Sequence, residues 1–462
     1  MPPCRPLALR ASASLVGLAF LLLVTSCTQV ITGKGAAAPD QLPASSPPPA
    51  TSSPPLSPEQ VSATTVAALQ DFWRAQFPAA FGRPWTDITG FVPVRTTQPG
   101  AATPPCLRRA ADLADQAFYC PAADVVAWDA DRLLPQQVER FGAAGAVVVI
   151  AHEVGHAVHR RLGIDAQRAR NPARYPTILL ESMADCFAGV ALAHFVDQPV
   201  DGLPIGLDER DQALLALVAF RDPLGVDAAD ASAHGNAFDR VSAFQTGYAE
   251  GAGRCAGMTL DNQTFTQRRF GSADDLARRG NLPLDALLGA FEPDARPWFS
   301  SVGATRVPGW QAPPLGPAAS CPGRAAAAQG PAVFCAADGA VAVNPTQLAA
   351  LHQQFGDYAA AVEMASRYAL ATVNAVGGST VGPAAGRAVV CLSGAYTGHL
   401  VDGVAFTLSP GDLDEAVQVL LAEDWVARDS GGRTDPAEHG FDRVATFRAG
   451  FLAGPQSCLP PA

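Results

Sequence analysis

The chemistry-bearing residues are concentrated in one stretch, His152-Glu153-Val154-Gly155-His156. On a helix, a spacing of four stacks both imidazoles on one face, so both can reach a single ion. Glu153 lies one step round and can meet a water held by that ion without ligating it. Glu181 follows 25 residues after His156, and Asp185 lies one helical turn beyond Glu181. Both acids interrupt an apolar run (Ile178, Leu179, Leu180, then Phe187 and Val190) where burying them is costly unless a cation compensates. Catalytic zinc takes three protein ligands and keeps a fourth position open. The histidines supply two. One of the two carboxylates can supply the third while the other accepts a hydrogen bond from a ligand histidine's second nitrogen, which fixes its tautomer. The chemistry expected is hydrolysis by metal-activated water, with Zn2+ as cofactor and Glu153 as general base.

The elements that must hold these groups are helices. Ser57-Pro58-Glu59 reads as an N-cap, a first-turn proline and an acidic first turn, after which Val61, Val66, Leu69 and Trp73 line one face. Residues 118–120 and 125–128 read as short strands around a turn. A buried helix over 143–162 carries the two histidines and stops at Gly163. A second, over 177–195, carries Glu181 and Asp185. Amphipathic helices follow over 208–220 and 238–248.

Three segments together are similar to a known family: Ala117-Phe118-Tyr119-Cys120-Pro121, Ile150-Ala151-His152-Glu153-Val154-Gly155-His156, and Ala184-Asp185-Cys186-Phe187-Ala188-Gly189. They resemble the bacterial putative neutral zinc metallopeptidases, and His234-Gly235 through Arg240 fits as well. The resemblance spans about residues 110 to 257. It implies a zincin-like, gluzincin-type arrangement with His152, His156 and Glu181 as ligands and Asp185 as support. His159 departs from the pattern, standing where the family usually has glutamine, and Glu181 is followed by Ser-Met.

The mature chain also reads as two versions of one pattern. Arg83-Pro84-Trp85 answers Arg296-Pro297-Trp298. Cys106 and Cys120 share the 14-residue spacing of Cys321 and Cys335. Phe141-Gly142 answers Phe355-Gly356. His234-Gly235 with Phe238-Asp239-Arg240-Val241 answers His439-Gly440 with Phe441-Asp442-Arg443-Val444. The expected fold is therefore mainly α with short strands. A metallopeptidase domain over 58–258 is followed by a degenerate repeat of the same fold over 272–462. Aligned on Phe355 and Cys391, the second half carries Ser366, Arg367 and Leu370 for His152, Glu153 and His156. It carries Gly386 and Val390 for Glu181 and Asp185. Residues kept in both halves read as structural, which demotes His234 and Arg240. Tyr175, Tyr248 and His234 remain weak candidates for an oxyanion donor. His159 and His194 read as surface or core histidines, and His352 and His399 carry no assigned role.

Residues 1–26 read as a lipoprotein signal peptide. Arg5 and Arg10 precede the apolar run Leu15–Val24, and Val24-Thr25-Ser26-Cys27 resembles a lipobox that would place diacylglycerol on Cys27. Residues 27–57 are a Pro- and Ser-rich tether. The protein is thus expected to be exported and lipid-anchored on the outer face of the cytoplasmic membrane, acting on a peptide or protein substrate in the cell envelope. Eight further cysteines imply four disulfides. If both halves pair alike, three arrangements remain, of which Cys106–Cys120, Cys186–Cys255, Cys321–Cys335 and Cys391–Cys458 is favoured. A formal charge of −11 with only 16% charged residues excludes a nucleic-acid surface. The alternative reading is a non-enzymatic binding lipoprotein that keeps zinc for structure.

Overall fold

A computed structural model describes residues 56–317, 328–401, 403 and 406–461. The proposed signal, Cys27, most of the tether and Cys321 lie outside the described residues. Among the described residues the fold is mainly helical, with two small sheets.

Helix α1 (Pro58–Phe81) begins as its sequence requires: the Ser57 side chain accepts from the Gln60 N–H and the Gln60 side chain answers the Ser57 N–H. Strands β1 (Gly90–Val94), β2 (Ala117–Cys120) and β3 (Val125–Asp129) form one sheet in the order β1-β3-β2, with β1 parallel and β2 antiparallel to β3. Helix α2 (Leu133–Arg161) carries the histidine motif, followed by α3 (Ile164–Arg170), α4 (Thr177–Asp197), α5 (Leu207–Ala219), α6 (Ala237–Glu250), α7 (Ala252–Ala256) and α8 (Ala273–Ala277). Helix α9 (Leu284–Ala304) leads into β4 (Leu315–Pro317), β5 (Ala332–Cys335) and β6 (Ala340–Val343). The chain ends with α10 (Pro345–Phe355), α11 (Asp357–Ala375), α12 (Pro383–Leu400), α13 (Asp412–Ala422) and α14 (Gly440–Ala453).

The motif helix is longer than its periodicity indicates, because residues 133–141 continue it across a kink. Gly142 has φ 62° there, a conformation only glycine adopts cheaply. Helices α2 and α4 are long and apolar enough to cross a membrane, yet 94% and 89% of their most apolar windows are buried inside the protein, so they serve as core helices. Their crossings are tight. A Cβ on Gly155 would lie 2.6 Å from the Ala184 carbonyl oxygen, which locks the motif helix against α4.

The second half has features similar to some of these. Its sheet has the order β4-β6-β5 with the same parallel and antiparallel senses. Gly356 (φ 119°) separates α10 from α11 where Gly142 kinks α2. Helix α4 meets α6 with a Cβ on Gly247 only 1.8 Å from the Cys186 oxygen; α12 meets α14 with a Cβ on Gly450 1.8 Å from the Cys391 oxygen. The halves are in direct contact. Phe238 packs on Phe447 and Phe451. Asp211 accepts the Gly440 and Phe441 N–H groups, capping α14 from the other half. Asp414 accepts the Ala237 N–H at the start of α6.

Disulfides join Cys106 to Cys120, Cys186 to Cys255 and Cys391 to Cys458. Cys335 is also disulfide-bonded. Such bonds persist in oxidising surroundings, in keeping with an extracellular or periplasmic location.

Candidate metal centre

The kink in α2 and the glycine contact with α4 bring the motif onto the two acids. His152, Glu153, His156, Glu181 and Asp185 are all buried. His152 Nε2 lies 3.2 Å and His156 Nε2 3.6 Å from the same oxygen, Glu181 Oε2. One atom from each of these three residues falls within 4.8 Å of the other two. The second carboxylate oxygen, Glu181 Oε1, is buried and has no hydrogen-bond partner among the described residues. Two imidazole nitrogens and a carboxylate converging on one point, with an acceptor left unserved, match the donor set zinc prefers.

Each imidazole is held from behind. His152 Nδ1 donates to Asp185 Oδ1 at 2.7 Å, which leaves Nε2 to face Glu181. Asp185 is in turn gripped by Arg240, which donates through Nε to Oδ2 at 2.9 Å and through Nη2 to Oδ1 at 2.8 Å. Arg240 Nη1 donates to the Phe220 carbonyl. His156 Nδ1 lies 3.0 Å from His159 Nε2. His159 Nδ1 lies 2.9 Å from Asp165 Oδ1, off the line of a good hydrogen bond. The chains Arg240–Asp185–His152 and Asp165–His159–His156 thus each lead to one imidazole of the centre.

The charges of the cluster act strongly on one another. Burial works against ionisation of Glu181, yet the His156 and His234 charges and the bond to His152 hold it well below the usual carboxylate range. Burial also penalises Asp185, but Arg240 and His152 outweigh it and keep that carboxyl low. Burial lowers His152, but Asp185 and Glu181 overcome this and push it up to about 10. These anions therefore hold a proton on His152, and a cation taking the same place must displace it. Burial raises Glu153, opposed by the two motif histidines.

A cleft opens over the centre, lined by His152, Glu153, His234, Arg240, Phe220 and Leu133 among others. His234 is held by a buried carboxylate: Asp222 accepts its N–H at 2.7 Å and its ring Nδ1 at 3.1 Å, while Gln267 donates to the same Asp222. This departs from the demotion of His234 and Arg240 by internal comparison. Arg443, the counterpart of Arg240, donates to the Leu420 carbonyl much as Arg240 donates to Phe220. The carbonyl contact is the shared one, whereas the grip on Asp185 belongs to the first half alone. His439, the counterpart of His234, lies instead 3.3 Å from Asp208, a surface aspartate. Tyr175 donates to Gln167, and Tyr248 packs on Phe441; neither lines this cleft. Asp222, Asp165 and Gln267 carried no sequence signal, because nothing in their spacing ties them to the motif.

A buried His-His-Glu cluster beside a glutamate in a cleft, on crossing core helices, is the kind of centre built by zinc-dependent hydrolases. The chain belongs to the family described as "Putative neutral zinc metallopeptidase", which matches residues 12–257. It is 33% identical over 150 residues to the uncharacterized protein YpfJ of Escherichia coli K12, covering 29% of this chain and 50% of that protein. The protein of the same name from Escherichia coli O6:H1 matches to the same extent. The chain thus spans about half the length of the curated relatives it matches. No solved structure matches.

Proposed function

We propose that the protein is a zinc-dependent peptidase of the cell envelope, anchored by lipid on Cys27. Its Zn2+ would be held by His152, His156 and Glu181. The observation that carries this reading is the convergence of both Nε2 atoms on Glu181 Oε2, with Glu181 Oε1 left without a partner among the described residues, beside a cleft lined by His152 and Glu153. Zinc bound there supplies a Lewis acid that polarises a scissile carbonyl and lowers the pKa of water towards ~7. Glu153, one residue from His152 and facing the cleft, takes the proton from the attacking water and passes it to the leaving amine. His234, oriented by Asp222, donates to the developing oxyanion. Asp185 and Arg240 fix the His152 tautomer with Nε2 free for the metal; His159 and Asp165 do the same for His156.

In the second half, the position aligned with Glu153 is Arg367. Its buried guanidinium donates to the carbonyls of Trp425 and Arg428 and to Gln329. A fixed cation in that place, with Val390 aligned with Asp185, makes this half a non-catalytic copy. Its role in the proposal is to complete the fold.

Two measurements test the proposal. Glu153→Gln should retain about one zinc per chain and lose hydrolysis of a peptide library by roughly 10²–10⁴-fold; full activity rejects the mechanism. Cys27→Ser should move the protein from the membrane to the soluble fraction, and unchanged partitioning rejects the anchor.

A further inference from the structure

A second carboxylate cluster lies far along the chain from the zinc residues. Asp357 is the first residue of α11, Asp412 the first of α13, and Glu415 follows one turn later. All three are buried, and one oxygen from each lies within 4.8 Å of the other two. Each carboxylate spends one oxygen on a backbone amide. Asp357 Oδ2 accepts the Leu282 N–H, Asp412 Oδ2 the Ser409 N–H, and Glu415 Oε2 the Tyr358 N–H, each at 2.8 Å. Asp357 Oδ1 and Asp412 Oδ1 remain buried with no donor among the described residues, on side chains of residues only 2% and 3% exposed.

The positive groups nearby are committed elsewhere. Arg268 donates to the Thr266 and Val401 carbonyls, Arg221 pairs with Asp414, and His352 lies 2.7 Å from the Leu282 carbonyl. Asp275 adds further negative charge and accepts the Ser409 hydroxyl. Burial pushes Asp357 up to about 6 despite its amide bonds. Burial and mutual repulsion drive Asp412 and Glu415 well above the usual carboxylate range. Such a cluster needs either shared protons or a cation. Two donorless oxygens in a set with no imidazole or thiol match a hard, oxygen-seeking ion rather than zinc.

We propose that Asp357, Asp412 and Glu415 hold one calcium-class divalent cation that ties α11 and α13 to the segment joining the two halves. Its reach extends towards the zinc centre without depending on it. Ser409 and Gly411, which lead into α13, line a cleft together with Asp222 and Gln267, the residues that hold His234. Fixing Asp412 therefore steadies one wall of that cleft.

The test uses the full, zinc-loaded chain dialysed against about 1 mM CaCl2, within the range of extracellular calcium sites, with the calcium of the dialysate subtracted. Elemental analysis should find one calcium per chain beside zinc. The Tm should rise by several degrees with calcium. Terbium should bind with emission sensitised by Tyr358 and be displaced by calcium. Asp412→Asn should abolish these responses with zinc content unchanged; if that variant does not fold, the wild-type calcium and terbium titrations still decide. Absence of bound calcium, or a wild-type Tm that ignores calcium but rises on acidification from pH 7.5 to about 5.5, overturns the proposal in favour of shared protons. A calcium-dependent Tm rise of equal size in Asp412→Asn also overturns it.

Discussion

Asp185→Asn is the most informative single change, because it keeps shape and removes only charge and acceptor capacity. Asp185 Oδ1 serves His152 Nδ1 at 2.7 Å and Arg240 Nη2 at 2.8 Å, and Oδ2 serves Arg240 Nε at 2.9 Å. An asparagine has one oxygen and one NH2 group. With the oxygen towards His152, its NH2 meets the Nε–H of Arg240, donor against donor. With the oxygen towards Arg240 Nε, its NH2 faces His152 Nδ1 and favours the tautomer with hydrogen on Nε2, the nitrogen zinc requires. Either way the buried guanidinium loses its counter-charge. Removing one partner of a buried pair costs about 3–5 kcal/mol, and loss of an outer-shell carboxylate weakens zinc by about 10–100-fold. Denaturant unfolding of the zinc-free chain reads the first figure. Competition with a chromogenic chelator reads the second. A variant within about 1 kcal/mol of wild type in stability, well under the cost of breaking a buried pair, and unchanged in zinc affinity refutes the Arg240–Asp185–His152 chain as the support of the centre.

Other outcomes follow from the same geometry. His159→Leu should weaken zinc binding by about 10-fold through His156, and His159→Gln should restore it, because an amide can still accept from Nδ1; chelator competition on both variants checks this. Gly247→Ala should abolish soluble folding or cost more than about 3 kcal/mol, since its Cβ meets the Cys186 carbonyl oxygen at 1.8 Å and backbone cannot yield; expression yield and thermal unfolding report it. Glu363 is buried, and burial pushes it up to about 7 from an ordinary 4.5. Its contribution to stability is therefore complete below the ordinary value and lost as pH rises through about 7. Glu363→Gln should flatten that decline, so denaturant titrations from pH 5 to 8 should show the variant gaining on wild type as pH rises. Replacing Cys186 and Cys255 by alanine opens a loop of 69 residues and should cost about 2–5 kcal/mol, measurable by thermal unfolding.

The residues of the candidate centre were legible because their chemistry is tied to helical spacing: His152 and His156 are one turn apart, and Glu181 and Asp185 interrupt an apolar run that must be buried. The helices around them followed from apolar periodicity, and the N-cap at Ser57 from its side chain. Strand β1 was missed because it is short and its pairing with β3 is parallel and non-local. The extension of α2 back to Leu133 was missed because Gly142 looks like a stop, whereas its positive φ bends the helix without ending it. The second support chain was missed for a different reason. His159 and Asp165 are joined only after α2 ends and α3 turns back, so no single periodicity relates them. Arg240 was set aside because Arg443 aligns with it in the other half, although the two share the carbonyl contact and not the grip on an aspartate.

The contact between the halves bears on how the protein behaves after export. The start of α14 is satisfied by Asp211, and Phe238 is covered by Phe447 and Phe451. The arrangement resembles a dimer whose two subunits share one backbone, so association is intramolecular and immune to dilution. A protease nick in the connecting segment between residues 258 and 283 would turn that unimolecular equilibrium into a bimolecular one. Nicked material should then lose its fold at low concentration and recover it at high concentration, whereas the intact chain should be indifferent.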